Sequence, residues 1–147
     1  MIPSRAPRPG VCHPVVAVVL AGLTIACGNA PPSGRITGEV RYGGRLQGVL
    51  LLAVYDHFPP AGTPLATVAI ENPRFPQAFA LETRPGPVYV LAALDTSPDD
   101  GLRYHSRVDA GAAWPALRTP EPLRLGPAQT LRVDLDLEDP RPGLPSP

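Results

Sequence analysis

The chain of 147 residues contains no lysine. All 13 of its basic side chains are arginine, and 13 Asp and Glu bring the net charge to zero. No basic stripe stands out, which excludes the electrostatic footprint of a nucleic-acid-binding protein. Cysteine is nearly as scarce. Cys12 and Cys27 both fall in the first 27 residues, so the rest of the chain has no disulfide, thiolate metal site or cysteine nucleophile. Aromatic residues are only 5% of the chain, with one tryptophan, Trp114, so a core must be aliphatic. No segment after residue 27 shows the apolar period of an amphipathic helix, and neither a phosphate-cradling loop nor a Gly-x-Ser-x-Gly elbow occurs. The missing lysine, with abundant Ala, Gly and Pro, points to GC-rich coding bias. That bias inflates the 22 prolines and weakens each one as a loop marker.

The first 27 residues have a definite order. Arg5 and Arg8 form a basic head, an apolar run extends over 14–26, and small, Pro-rich residues follow Cys27. This is the layout of a secretory signal peptide. The run is shorter than the roughly 20 apolar residues of a membrane span. Leu23-Thr24-Ile25-Ala26-Cys27 resembles the lipobox of bacterial lipoproteins, although Thr24 stands where that family most often has Leu. The resemblance implies cleavage after residue 26, lipidation of Cys27, and a partner in the lipid bilayer. One acyl chain holds a protein only marginally, at about 0.8 kcal/mol per buried methylene, and stable anchoring takes two signals. The diacylglycerol and N-acyl chains implied by the resemblance supply them. Gly28, rather than Asp, after the cysteine implies the outer membrane of the cell envelope. Ordinary cleavage at Thr24-x-Ala26, with Cys27 a bystander, is the alternative.

The expected organisation is therefore a signal peptide over 1–26, lipidated Cys27 with a flexible linker over 27–34, a β domain over 35–138, and a disordered Pro-rich tail over 139–147. The domain is the size of one folding unit. Arg35 to Arg41 alternates polar and apolar, the period of a half-buried strand. Gly48 to Asp56 is continuously apolar, so it is either a central strand covered on both sides or one facing a partly covered surface. Short strands are predicted over 66–70, 77–82 and 122–125, a second apolar strand over 88–94, and a regular alternating strand over 130–138. Residues 95–120 read as a long irregular stretch. About seven strands without a helix predict an all-β sandwich. The predicted core is Ile36, Val40, Val49, Leu51, Phe79, Leu81, Val90, Leu131, Val133 and Leu135.

The Ile36-x-Gly38-x-Val40 strand, Phe79-Ala80-Leu81-Glu82 and the Gly86-Pro87-Val88-Tyr89 entry into an apolar strand resemble the transthyretin-like, or carboxypeptidase-regulatory-like, β-sandwiches. The resemblance covers about residues 35–138 and implies the fold. Hydroxyisourate hydrolases of that group rely on specific histidines and arginines and end in Tyr-Arg-Gly-Ser. This chain ends in Pro-Gly-Leu-Pro-Ser-Pro, so a transthyretin-like hydrolase is the disfavoured reading.

Chemistry is sought in the 95–120 segment. Asp95, Asp99 and Asp100 before Gly101 are candidate calcium ligands, because hard oxygen donors followed by glycine begin a calcium loop. The glycine comes one residue late for an EF-hand and no terminal Glu follows, so a solvated acidic turn is the alternative. His57 and His105 lack metal-ligand spacing. Ser106, His105 and Asp109 share one loop without a nucleophile elbow. Tyr104, His105 and Trp114 are candidate ligand-binding residues, Trp114 through stacking on a sugar or a Pro-rich peptide, or else as a cap on the open end of the sandwich. The expected function is a non-catalytic, membrane-anchored binding or structural module of the envelope, without a cofactor unless calcium binds, and with an envelope protein or glycan as partner. A carbohydrate-binding module using the 95–120 loop is the alternative.

Overall fold

The computed structural model describes residues 32–97 and 104–140. Cys27, Asp99, Asp100, the 1–26 segment and residues 141–147 lie outside the described residues. Among the described residues there is no helix, and nine strands form two sheets. The strands are β1 (Gly34–Arg41), β2 (Val49–Tyr55), β3 (Ala66–Ile70), β4 (Gln77–Thr83), β5 (Gly86–Asp95), β6 (Ala110–Ala113), β7 (Leu123–Leu125), β8 (Thr130–Arg132) and β9 (Leu135–Asp136). One sheet has the order β4-β1-β8, with β9 also on β1. The other has the order β3-β2-β5-β6, with β7 on β5. The all-β sandwich is therefore present, with nine strands where seven were expected.

The alternation of β1 works as read. Ile36 and Val40 are fully buried, and they meet Phe79 and Leu81 of β4 and Val133 and Leu135 of the C-terminal segment. The opposite sheet contributes Leu50, Leu52 and Val54 from β2, and Val88, Val90 and Leu94 from β5. Each such side chain contributes about 1.5–3 kcal/mol when fully buried.

Two expectations about strands are corrected. In β2 the buried residues are the even-numbered Leu50, Leu52 and Val54, all fully inaccessible, whereas Val49 and Leu51 are half-buried on the outer face. In an uninterrupted apolar run, alternation carries no information about which face turns inward. The single alternating strand over 130–138 is two short strands, β8 and β9. Both pair in parallel with β1 in one unbroken register, Thr37 with Arg132 and Val40 with Leu135. Between them the Asp134 carboxylate accepts the Glu39 N–H at 3.2 Å, taking the place of a ladder bond. Gly38 is required there, because a Cβ would collide with the Val133 carbonyl oxygen. Leu131 is only partly buried against the core.

The described part of the 95–120 segment departs from the irregular stretch expected. It contains β6, whose Ala-Gly-Ala-Ala sequence has neither β-branched nor aromatic residues and so gives no strand signal. Four small residues nevertheless fit where β6 pairs with β5, and all four are buried. At the end of the expected domain Glu138 bridges Gly111, and the Tyr42 hydroxyl donates to Asp139, the first residue of the expected tail.

Candidate ligand cleft

The outward face of the β3-β2-β5-β6 sheet is largely apolar across its middle rows. Cross-strand pairing sets Ala69, Leu51, Ala93 and Gly111 in one row, and Thr67, Ala53, Leu91 and Ala113 in the next. Small side chains therefore dominate the floor, while Leu51 and Leu91 rise on opposite diagonals. The β2–β3 loop adds Pro60 and Pro64, and the β6–β7 loop adds Leu117. The result is a cleft of about 580 Å³. That volume lies in the usual ligand-site range of about 300–1,000 Å³.

Tyr104 closes one end. Its ring lies over Gly111, where a Cβ would sit 2.8 Å from it. Burial raises the Tyr104 pKa, and the nearby negative charges of Asp109 and Glu138 raise it further. Its hydroxyl therefore stays protonated and available as a donor. Tyr55 lines the cleft toward the other end of β2. Among the described residues no Asp, Glu, Arg, His, Asn or Gln lines the cleft, and its polar side-chain atoms are the hydroxyls of Tyr55, Thr67 and Tyr104. The Thr67 hydroxyl already donates to the Leu52 carbonyl oxygen at 3.0 Å.

Asp109 holds Tyr104 in place. It is fully buried. One oxygen accepts both the N–H and the hydroxyl of Thr96 at 2.9 Å, and the other accepts the His105 N–H at 2.7 Å. One carboxylate thus joins the segment leaving β5 to the residue after Tyr104.

Of the residues singled out from the sequence, Tyr104 lines the cleft. His105 neighbours it through its backbone but does not line it. Trp114 is partly buried against the core, with its backbone N–H donating to the Val90 carbonyl at 3.0 Å. Asp95 is fully buried, and one of its oxygens accepts the Ser97 N–H at 2.9 Å. Among the described residues no three His, Cys, Asp or Glu side chains gather in a way that could hold a metal ion. His57 lies at the far end of β2 in an exposed cluster, hydrogen-bonded to Asp56, which also pairs with Arg84. Chiefly through the His57 bond, and despite partial desolvation, the Asp56 carboxyl is held below its ordinary range, with Arg84 contributing.

The sequence reading missed Leu51, Tyr55, Leu91, Pro60, Pro64 and Leu117. The signal was present in the unbroken apolar runs of β2 and β5, which mark a sheet apolar on both faces. Comparisons with protein families, with curated proteins and with solved structures found no match for this chain.

Proposed function

We propose that this protein is a non-catalytic, lipid-anchored binding module of the cell envelope, held at the outer membrane through Cys27, with a transthyretin-like sandwich presenting one ligand cleft. The observation that carries the binding reading is the cleft lining: it is apolar, it bears no charged side chain among the described residues, and its phenols can donate hydrogen bonds. Such a site favours an uncharged, largely apolar ligand, because a buried unpaired charge costs far more than the cleft returns. Among the described residues it offers apolar burial and hydroxyl groups for hydrogen bonding. The anchor reading rests on the basic head, the short apolar run and the Ala26-Cys27 junction.

Both parts are testable. Intact mass and palmitate labelling should show acylation at Cys27, and Cys27→Ala should release the protein from membranes; unchanged membrane association overturns the anchor. The neutral dye Nile red should bind saturably to the full chain, with increased fluorescence. Ala53→Trp, which fills the floor of the cleft from the outer face, should abolish that binding while circular dichroism stays native. Glycan binding is the weaker reading, because Trp114 packs against the core and, among the described residues, no amide or carboxylate side chain lines the cleft to bind sugar hydroxyls.

A further inference from the structure

We infer that β3 pairs with β3 of a second copy of this chain, antiparallel across a twofold axis at Val68, so that two copies share one continuous sheet.

The described residues form four sheet edges, and three of them are blunted. On β4, the Gln77 side-chain amide donates to the Ala78 carbonyl oxygen at 3.0 Å, and Glu82 puts a charge on the exposed face. The β8–β9 edge is interrupted where the Asp134 carboxylate replaces a ladder bond, and Arg132, Asp134 and Asp136 lie along it. On β6, Gly111 exchanges both backbone hydrogen bonds with Glu138. Such devices stop an edge from recruiting another strand. β3 has none of them. Ala66-Thr67-Val68-Ala69-Ile70 carries no charge and no proline, and it runs in unbroken register along β2.

The free side of β3 can be assigned residue by residue. The Val54 and Leu52 carbonyls of β2 turn toward β3, accepting the Leu65 N–H at 2.7 Å and the Thr67 hydroxyl at 3.0 Å. Directly opposite residues of an antiparallel pair turn their backbone groups toward each other or away from each other together. Ala66 and Val68, opposite Val54 and Leu52, therefore face β2, and Thr67 and Ala69 turn their N–H and C=O groups outward. Both residues are exposed, and neither has a backbone partner on that side among the described residues. The flanking loops lean away from this edge. Phe58 packs on Tyr89 of β5 with ring centroids 5.9 Å apart, and Phe75 packs on Tyr42 at 5.6 Å.

A twofold axis at Val68 suits this strand. Thr67 then meets Ala69 of the second copy, and Ala69 meets its Thr67, as two hydrogen-bonded pairs that each exchange both N–H···O bonds. Ala66 faces Ile70, a small side chain against a large one. No charge meets its copy, because the two Glu71 residues stand six residues apart along the strands, about 20 Å. The arrangement closes at two chains, since each copy covers the open edge of the other. Thr67 and Ala69 also line the cleft, so the two clefts open on the same face, one on each side of the axis.

The test uses the full chain in detergent with Cys12 and Cys27 replaced by alanine. Val68→Cys should form a disulfide-linked dimer under mild oxidation. Val68 lies opposite its own copy in a non-hydrogen-bonded pair, with Cα atoms about 4.5 Å apart, which a disulfide can bridge. Ala69→Cys should not cross-link, because its two Cα atoms are about 9 Å apart and a disulfide reaches only about 7 Å. Ala69→Pro removes an outward N–H that the β2 ladder does not use, a placement that edge strands tolerate. Circular dichroism should stay native, and the Val68→Cys cross-link should disappear. With β3 unaltered, sedimentation should show the mass rising with concentration toward two chains. Absence of the Val68→Cys cross-link, equal cross-linking at Ala69→Cys, a single-chain mass up to about 1 mM, or growth beyond two chains overturns the inference. So does a cross-link that survives in a natively folded Ala69→Pro variant. If that variant unfolds, the two cysteine variants decide.

Discussion

Asp109 accepts two hydrogen bonds from Thr96 through a single oxygen, while its second oxygen takes the His105 N–H. A side chain with no exposure thereby ties Thr96, just after β5, to His105, the residue after Tyr104. An asparagine in place of Asp109 would have the same shape but only one acceptor oxygen. Its NH₂ would face either the Thr96 donors or the His105 N–H. Asp109→Asn should therefore lower stability by about 2–4 kcal/mol, as expected for stranded buried donors. Denaturant unfolding measures this. A change within a few tenths of a kcal/mol would mean that the carboxylate is not holding the segment.

The register of β2 separates two adjacent leucines. Leu52 is inaccessible in the core, and Leu51 lies half-buried on the cleft floor. Leu52→Ala should cost about 2–5 kcal/mol, the range for emptying a packed site. Leu51→Ala should cost clearly less, because no enclosed cavity forms, and it should weaken Nile red binding. Paired thermal and denaturant melts decide this, and equal losses would contradict the register.

How much of this was legible depended on contrast along the chain. β1 alternates between polar and apolar residues, so Ile36 and Val40 could be assigned to the core from the sequence. β2 is apolar at every position, and β5 from Val88 to Leu94, so the same pattern could not say whether Leu51 or Leu52 turned inward. β6 was hidden for a different reason: alanine and glycine carry no strand preference, and only the pairing of Ala110 to Ala113 with β5 makes them a strand. The cleft was hidden because its floor is assembled from four strands through cross-strand registry, which no local window contains. Tyr104 was identified from its residue type, but its seat over Gly111 depends on Asp109, whose three bonds span the chain from Thr96 to His105.

Thr83 ends β4 pointing into the protein, 5% exposed, and its hydroxyl has no partner among the described residues. Valine has nearly the same shape without the polar atom. Thr83→Val should raise stability by about 1 kcal/mol by removing a desolvated, unpaired hydroxyl. That corresponds to a melting temperature roughly 4–8 °C higher for a domain of this size. A lower melting temperature would show that the hydroxyl is satisfied in solution.

Acid should act on the surface before it reaches the core. Asp134 is pushed upward by partial burial, but the Glu39 N–H, Arg132 and Arg41 outweigh that and hold its carboxyl below the usual 3.8. Asp56 is also held low, first by its hydrogen bond from His57. A carboxyl whose pKa is lower in the folded state stabilises that state above its unfolded pKa. The contribution is lost as pH falls through the folded value. The melting temperature should therefore hold down to about pH 4 on account of these two groups and decline below it. His57→Gln with Arg84→Gln should remove the Asp56 part of that decline and leave the Asp134 part. Both sites are open to solvent, so 1 M salt, where the screening length is about 3 Å, should flatten the remaining slope. A decline unchanged by salt would contradict the assignment to these two solvent-open carboxylates.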